Sequence, residues 1–467
     1  MTQCNTKTRL DFHQKFPIDI EFSADDISSD GGVVLLRQAE ERLGICRRIA
    51  GLVPDKRDPN RIVHSRYEQV LQRVFQIALG YADQNDADHL RGDPLLKAAC
   101  DLAPAEKPLS SQPTLSRLEN SVDPVHVEAM QWRLFLSWID SLDDDRREIT
   151  LDIDSSAFEG HGQQQNLSFN TYHGGHILHP LLLFDDETGE LITAILRPGN
   201  AHDSTEAADW LERIIVALKV LHRRDCSVVV RADAGFASPA TYRRLEQLDD
   251  IYGEVGYLIG LRGNSVLADA IEPALKSARQ LCKRCNQPAR IFVDFAYQAG
   301  SWNRSRHVIG KAEVTLLGDN PRFVVTNLDE FPPRLLYEMA YCGRGRCEQH
   351  IGEFKGGLEG DRISCHLFEA NGFRLILAAL AYRLLFELRR TIAAKADATP
   401  GADTDKTKTA DLGGQLQGLA RASFQTLRLR LLKVAVIVRQ SVRRLYLQGA
   451  RSFPMAEVFH HVARAMA

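Results

Sequence analysis

The stretch ITLDIDSS, Ile149–Ser156, alternates apolar and polar side chains and therefore predicts a β-strand. Asp152 and Asp154 are two residues apart, so both carboxylates project from the same face of a strand that is otherwise core-forming. Burying a carboxylate is costly unless a cation or an ionic partner compensates its charge. The stretch is therefore either a salt-bridged strand end or part of a cation-binding site.

A second acidic strand end follows in CSVVVRAD, where three valines lead into Asp233. Upstream, HILHPLLLF (176–184) and LITAIL (191–196) read as strands, and STEAADWLERIIVALKVLH (204–222) has the periodicity of a helix. An order of strands first, then strands and helices in alternation, predicts an α/β fold with a mixed sheet. Ligands of open α/β sheets collect at the carboxyl ends of strands, which makes Asp233 a candidate site residue; the alternative is an ordinary turn former.

The third acidic candidate lies in YCGRGRCEQHIGEFK, residues 341–355. On an α-helix that turns 100° per residue, four polar side chains of this stretch share an arc of about 60°. They are Tyr341, Arg344, Glu348 and Lys355. An exposed ion pair between Arg344 and Glu348, worth a few tenths of a kcal/mol, is one interpretation. The two acidic strand ends upstream favour a shared site instead.

Two Asp and one Glu supply the hard oxygen ligands that Mg²⁺ or Mn²⁺ prefers. Two such ions can activate a water or a 3′-hydroxyl on one side of a phosphodiester and stabilise the leaving oxygen on the other. Basic residues beside the third carboxylate would hold the neighbouring phosphates. The pattern therefore predicts metal-dependent phosphodiester chemistry with two Mg²⁺ ions per active site, for which Mn²⁺ can substitute.

These residues resemble the DDE transposases of bacterial insertion sequences, in the superfamily marked by the signature Tyr-x2-Arg-x3-Glu-x6-Lys. The signature matches without a gap from Tyr341 to Lys355. The resemblance covers nearly the whole chain through six further segments, which are GYADQNDADHLRGDPLLK (80–97), SSQPTLSRLEN (110–120), LDIDSS (151–156), RPGNAHDS (197–204), RADAGF (231–236) and TLRLRLLKV (426–434). Together they look like the thirteen-eighty family of insertion sequences, the group-one DDE transposases.

The resemblance implies a ribonuclease-H-like catalytic core with an inserted β-domain, and DNA cleavage followed by strand transfer. Asp154, Asp233 and Glu348 would be the catalytic and metal-binding residues. Asp154 is preferred to Asp152 because the first aspartate of the family directly precedes a small hydroxyl residue, here Ser155. Two other hypotheses use the same residues: a catalytically silent, domesticated DNA-binding protein, and a metal-dependent nuclease without strand transfer.

Two groups of residues are predicted to bind DNA. The resemblance implies that Tyr341, Arg344 and Lys355 contact DNA near the cut end. The tail from 421 to 467 holds nine Arg or Lys against one Glu on a helical-looking segment. Its candidate DNA-binding residues are Arg428, Arg430, Arg443 and Arg444, for which a solvated helix face is the alternative. The expected partners are double-stranded DNA, as terminal inverted repeats and as target, and a second copy of the chain in a synaptic homodimer.

Composition limits the class of protein. The 467 residues are 44% hydrophobic and 25% charged, with a formal net charge of -3, as expected for two or three globular units with no global attraction to DNA. The first residues, MTQCNTKTRLDFHQKFP, lack the apolar core of a signal peptide, and no run reads as a membrane span. We therefore expect a cytoplasmic protein without a membrane partner, and the family resemblance implies that it is bacterial and nucleoid-associated.

Shifts in composition predict six segments along the chain. Helical regions at both ends flank an α/β core, and a β-rich insertion interrupts that core. A stretch rich in Ala, Asp, Thr, Lys and Gly predicts a linker before the basic tail. The predicted segments are a helical DNA-binding domain (1–146), the first part of the core (147–256), the β-rich insertion domain (257–330), the second part of the core with the signature helix (331–392), the linker (393–414) and the basic helical C-terminal region (415–467).

Overall fold

The computed structural model describes residues 7–398 and 409–467 of the chain. Its strands are β1 (Thr8–Leu10), β2 (Ile18–Ile20), β3 (Ile27–Ser28), β4 (Glu148–Ser155), β5 (Phe158–Glu159), β6 (Ser168–Asn170), β7 (Gly175–Leu178), β8 (Leu181–Asp185), β9 (Leu191–Ile195), β10 (Ser227–Ala232), β11 (Val255–Leu261), β12 (Ala289–Tyr297), β13 (Arg306–Thr315), β14 (Gly318–Asp319), β15 (Arg322–Thr326), β16 (Val436–Gln440) and β17 (Leu445–Gly449).

The α-helices are α1 (Val33–Leu43), α2 (Ile45–Ala50), α3 (Arg66–Leu79), α4 (Ala87–Leu90), α5 (Pro94–Ala99), α6 (Gln112–Glu119), α7 (Pro124–Ile139), α8 (Ala207–Ala217), α9 (Pro239–Tyr252), α10 (Ser265–Cys285), α11 (Pro333–Leu335), α12 (Gly345–Gly352), α13 (Phe368–Ala398), α14 (Thr409–Ala420), α15 (Phe424–Leu427) and α16 (Ala456–Met466). The chain divides into two compact units. The sheet unit comprises residues 43–56 and 117–386, and the terminal unit comprises the remaining described residues.

A nine-stranded mixed sheet forms the centre of the sheet unit. Its strand order is β12-β13-β15-β11-β10-β4-β8-β9, with β14 paired to β13. β4, β10 and β11 run parallel to one another, whereas the strands outside this trio pair antiparallel with their neighbours. Helix α7 packs on β9, α9 on β11, and α10 on β12 and β13. The predicted α/β class with a mixed sheet is confirmed.

The central strands are apolar runs because packing buries both of their faces. Every residue of β8 and β9 is buried, and β10 contributes the buried valines 228 and 230. Helix α13 fixes the turn between β8 and β9, since Tyr382 donates a hydrogen bond to the carbonyl of Gly189 at 2.9 Å and Arg383 donates one to the carbonyl of Leu191 at 3.2 Å. This turn also contacts the first half of the neighbouring strand β4, because the N–H of Asp186 donates to the carbonyl of Thr150 at 3.0 Å.

A buried guanidinium joins β4, β10 and the segment before the signature. Arg231 on β10 donates to both carboxylate oxygens of Asp152 on β4 at 2.7 Å, and to the carbonyl of Ala340 at 2.7 Å. The side chains of Arg231 and Asp152 are only 3% and 1% exposed. The charge of Asp152 is thus compensated inside the protein.

The terminal unit combines helices with two small sheets, β1-β2 and β17-β16-β3. Ser65 and Glu68 form a capping box at the start of α3, in which each side chain accepts from the other's backbone N–H. Gly80, with φ of 92°, ends the helix, and Arg428 from the tail donates to the carbonyl of Ala78 at 2.9 Å. The tail therefore packs into the same unit as the N-terminal helices.

Two predictions about the C-terminal part need correction. The basic region 415–467 is not wholly helical, because residues 436–440 (VIVRQ), which begin with three β-branched residues, pair with 445–449 (LYLQG) as a hairpin. The predicted linker 393–414 is helical at both ends, where α13 reaches Ala398 and α14 begins at Thr409, and its middle lies outside the described residues. In the described part of the chain, no helix is long and apolar enough to cross a membrane.

The chain also divides at other points than those predicted. Strands of the predicted insertion 257–330 do not form a sheet of their own, because β15 pairs with β11 and extends the central sheet. Helices α2 and α7, predicted as parts of an N-terminal domain 1–146, belong to the sheet unit. Composition marks changes of secondary structure along the chain, whereas these divisions depend on long-range packing.

We expect Arg231→Met to lower the free energy of unfolding of the sheet unit by about 3–5 kcal/mol, because Asp152 would remain buried without its counter-charge. Equilibrium urea denaturation followed by tryptophan fluorescence measures this, since all four tryptophans (132, 138, 210 and 302) lie in the sheet unit. The matched control is Arg223→Met, which removes a surface ion pair with Asp225 and should leave the transition unchanged. Equal losses in the two variants would contradict a special role for Arg231.

Candidate active site

The carboxyl ends of two adjacent parallel strands bring Asp154 and Asp233 together. Asp154 is the penultimate residue of β4, and Asp233 directly follows β10. The parallel register pairs Ala232 with Ile153. Asp233 and Asp154 are the next residues of the two chain segments, so they lie side by side. The carboxylate of Asp233 accepts a hydrogen bond from the N–H of Gly235 at 2.9 Å, which orients it in the turn after β10.

A cleft of about 1300 Å³ opens at these strand ends. Asp154 and Asp233 line it, together with Lys355 of the signature. Asp152 faces the buried ion pair with Arg231 instead. Of the two aspartates left open by the sequence, Asp154 is the one that reaches the cleft.

The signature segment is not one regular α-helix. Residues 341–344 form a 3₁₀ turn, α12 covers 345–352, and 353–357 are π-helical. The turn angle per residue differs between these helix types, so the predicted arc of about 60° does not describe the real arrangement. Tyr341, Arg344 and Lys355 are half-buried, whereas the side chain of Glu348 is 65% exposed.

Arg344 links two of the three candidate carboxylates. Its guanidinium donates to Oδ2 of Asp154 at 2.8 Å and to Oε1 of Glu348 at 3.0 Å. In the described residues, no three His, Cys, Asp or Glu side chains converge where a metal ion could be held. The positive charge between Asp154 and Glu348 in this structure is therefore that of the Arg344 guanidinium.

Asp154 is electrostatically unusual. Burial raises its pKa from 3.8 to about 7; Arg344 opposes the rise, while Asp233 and Glu348 add to it. The side chain of Asp154 is only 13% exposed, so little water screens these interactions. The site therefore favours an added proton or an added cation at neutral pH.

A model of the transposase DDE domain, group 1, matches residues 11–467. The chain belongs to this family of DDE transposases. A solved structure, the cryo-EM structure of the piggyBac transposase synaptic complex with hairpin DNA, is similar at 11% identity and a TM-score of 0.43, covering 85% of this chain and 81% of that chain. No curated protein matches the sequence.

The sequence interpretation missed Asp203 of the transposase as a residue of the cleft. Its carboxylate accepts a hydrogen bond from the hydroxyl of Ser155, lies 3.5 Å from Nε2 of His179, and packs so closely on Gly235 that a β-carbon there would collide with it. Buried Arg197 holds the loop around Asp203, donating to its carbonyl at 2.9 Å. The segment RPGNAHDS contains both residues, but nothing in its spacing indicates their approach to β4 and β10.

The remaining signature residues of the transposase contact the protein itself. Lys355 donates to the carbonyl of Ala157 at 2.9 Å on the wall of the cleft. Tyr341 packs its hydroxyl against Gly260 at the end of β11, and burial raises the pKa of Tyr341. Tyr341 therefore anchors the signature segment to the sheet, and Lys355 anchors it to the segment that follows β4.

The predicted DNA-binding residues of the tail lie in the terminal unit. Arg428 is half-buried at the end of α3, where it contacts the Ala78 carbonyl. Arg430 is exposed, and Arg443 and Arg444 are exposed in the turn between β16 and β17. Three of the four guanidinium groups are thus accessible to a partner.

We expect Asp154→Asn to change how the stability of the transposase depends on pH. Between its ordinary pKa of 3.8 and its folded pKa of about 7, the native state retains a proton that the unfolded chain has released. The free energy of unfolding of the wild type should therefore fall, relative to that of the Asn variant, by up to about 4 kcal/mol as pH rises from about 4 to 7.

Urea denaturation of both proteins across this pH range measures the difference. Asp225→Asn is the control, because its neighbour Arg223 lowers the pKa of that carboxyl and the same trend is not expected. Parallel profiles for wild type and Asp154→Asn would contradict the assigned environment of Asp154.

Proposed function

We propose that this transposase binds the terminal inverted repeats of its insertion sequence, cleaves the DNA ends and transfers them to target DNA by a cut-and-paste reaction. The observation that carries the proposal is the approach of Asp154 and Asp233 at adjacent strand ends, with Arg344 joining Asp154 to Glu348. Three segments far apart in sequence thus contribute one acidic residue each to a single region. This arrangement suits chemistry on a charged phosphodiester.

The proposed catalytic core is ribonuclease-H-like. It would consist of the antiparallel strands β4, β8 and β9, the parallel strands β10 and β11, and the signature segment. Residues 262–330 interrupt it as an insertion whose strands extend the sheet from β11, while the candidate carboxylates lie at β4 and β10. A change in the length or sequence of the insertion would therefore leave the positions of the acidic residues unaltered.

The donor set fits a divalent cation. Asp154, Asp233 and Glu348 offer only carboxylate oxygens, and the pKa of Asp154 is raised by burial first and by the nearby charges of Asp233 and Glu348 second. We propose that they hold Mg²⁺, for which Mn²⁺ can substitute, with two ions per site. The bound ions would supply activation of the attacking hydroxyl and stabilisation of the leaving oxygen.

Arg344 would change partners when the site is loaded. Its guanidinium now satisfies Asp154 and Glu348, whose oxygens would otherwise be available as ligands. A DNA phosphate beside the scissile bond is an alternative partner, because a guanidinium binds phosphate through two parallel hydrogen bonds. Lys355 on the cleft wall would bind a second phosphate, and Tyr341 would support the segment that carries both.

The proposed partners are double-stranded DNA and a second copy of the chain in the synaptic complex. The exposed Arg430, Arg443 and Arg444 would contact the DNA backbone, and Arg428 would do so in addition to its contact with Ala78. Such a reaction would take place at the bacterial nucleoid.

We expect Asp154→Asn, Asp233→Asn and Glu348→Gln each to lower the cleavage rate at least about 10³-fold, because each would remove a charged cation ligand without a large change of shape. The assay uses the full chain, Mg²⁺ and a labelled duplex that carries the inverted repeats bordering the gene. Glu187→Gln, which removes an exposed carboxylate outside the cleft, should retain full activity.

Joined products distinguish transposition from simple nuclease activity in the same assay. Strand transfer into a target plasmid supports the proposal, whereas cleaved but unjoined ends would identify a nuclease. Full cleavage by the Asp233→Asn or Glu348→Gln variant would overturn the assignment of the acidic residues.

We expect Arg344→Gln to bind Mn²⁺ severalfold more tightly than the wild type in the absence of DNA, because no guanidinium would compete for Asp154 and Glu348. The same variant should cleave DNA more slowly, because it lacks the phosphate contact. Isothermal titration calorimetry measures the first effect. Lys355→Gln is the charge-matched control and should leave Mn²⁺ affinity unchanged, since Lys355 contacts Ser156 and Ala157 rather than the candidate ligands.

A further inference from the structure

A second pocket, of about 290 Å³, lies entirely within the terminal unit. Its described lining combines three arginines, one histidine and several hydroxyl groups, and it includes neither Asp nor Glu. Its lining includes Arg57, His64, Arg91 and Ser110. We call this feature the arginine pocket.

Two buried polar atoms of the arginine pocket have no hydrogen-bond partner among the described residues. They are Oγ of Ser110, whose residue is 2% exposed, and Nδ1 of His64, whose residue is 8% exposed. Glu68 approaches the histidine nitrogen only to 3.7 Å. Buried polar groups are normally paired, so these two atoms indicate a missing partner.

The backbone around Ser110 is held rigidly. The side-chain amide of Gln72 donates to the carbonyl of Ser110 and accepts from its N–H, both at 2.9 Å. The N–H of Leu109 donates to the carbonyl of Arg91 at 2.9 Å. These contacts position Ser110 and the segment that carries Arg91. They use the backbone of both residues and involve neither the Ser110 hydroxyl nor the Arg91 guanidinium.

Positive charge dominates the surroundings of His64. Arg57 donates to the carbonyl of His64 at 2.9 Å, and Lys107 donates to the carbonyl of Val63. Burial lowers the pKa of His64, and Lys107, Arg91 and Arg57 lower it further, whereas Glu68 opposes this shift. The neutral imidazole can thus present an Nδ1–H donor into a region that attracts anions.

We propose that the arginine pocket binds a phosphate group, and that in the working enzyme this is a backbone phosphate of the bound DNA duplex. Arg57 and Arg91 would supply charge, and Ser110 and His64 would donate hydrogen bonds to the phosphate oxygens. This proposal extends the proposed function. The identity of the ligand, a DNA phosphate, rests on that function. It also gives a role to two motifs that the cleft does not use, since Arg91 belongs to HLRGDP and Ser110 begins SSQPT.

The test compares the full-length wild type with Arg91→Gln, Arg91→Lys and Ser110→Ala. The matched control is Arg117→Gln, which removes the same charge from the exposed surface of α6 outside the pocket. Circular dichroism checks that each variant is folded. Fluorescence anisotropy of a labelled duplex, measured in EDTA over a range of KCl concentrations, gives the dissociation constant and its salt dependence. In a second arm, the melting temperature of the protein in inorganic phosphate is compared with that in KCl of equal ionic strength.

Arg91→Gln should raise the dissociation constant about tenfold and reduce the slope of log K against log salt by about 0.9, as expected for the loss of one phosphate contact. Arg91→Lys should restore the slope, and Ser110→Ala should weaken binding about fivefold with the slope unchanged. The pocket proposal is overturned if the wild type binds and cleaves DNA while Arg91→Gln has the same dissociation constant and salt dependence as Arg117→Gln. The proposed function of the protein would stand in that case.

If the wild type binds no duplex, the proposed function fails, and the phosphate arm decides about the pocket alone. A stabilisation by inorganic phosphate that Arg91→Gln removes would support a phosphate pocket but overturn DNA as its ligand. No stabilisation in that arm would overturn the pocket as well.

Discussion

The ion pair between Arg231 and Asp152 is the interaction on which the geometry of the cleft depends. It crosses from β10 to β4, the strands that carry Asp233 and Asp154, and its third hydrogen bond reaches Ala340 just before the signature. One buried guanidinium therefore relates all three acidic segments to one another. Such a pair adds little net stability, but it allows few alternative arrangements, because any slip of one strand would leave a buried charge uncompensated.

Depth along β4 decides which of its two aspartates lines the cleft. Both project from the same face, yet Asp152 is enclosed by the next strand, whereas Asp154 lies where β10 has ended and the chain turns away. Each aspartate has an arginine partner of matching character. Arg231 is buried and contacts Asp152, Asp186 and the carbonyl of Ala340, while Arg344 is half-buried on a segment of mixed 3₁₀, α and π geometry. The first pair is therefore enclosed by the protein, whereas the second lies at the open end of β4.

Sequence patterns predict the parts of the fold and of the cleft that depend on local order. Alternation locates β4, and the run of valines locates the end of β10, so the local pattern selects Asp152, Asp154 and Asp233 as candidates. The preference for Asp154 over Asp152 comes from the family resemblance. The roles of Asp203 and Arg231 are not predictable in this way, because their partners are distant in sequence and nothing in their own spacing indicates an approach to β4. The high charge of the tail obscures the alternation around Arg439, which forms a strand instead of a helix. An ideal helical wheel likewise fails for the signature, whose turns are irregular.

The charge of the cleft limits how strongly the cleft alone would attract DNA. The cleft is lined by six Asp or Glu side chains against three Lys or Arg, and the whole chain carries a formal net charge of -3. An acidic cleft repels a DNA backbone until cations neutralise it, so a cleft of this composition attracts cations more readily than DNA. We propose that a bound duplex is held in part by local basic features elsewhere in the chain, such as the arginine pocket and the exposed turn at Arg443. Beside the cleft, the Arg344 guanidinium already joins Asp154 to Glu348, so these two carboxylates would become available to another cation only when Arg344 takes another partner.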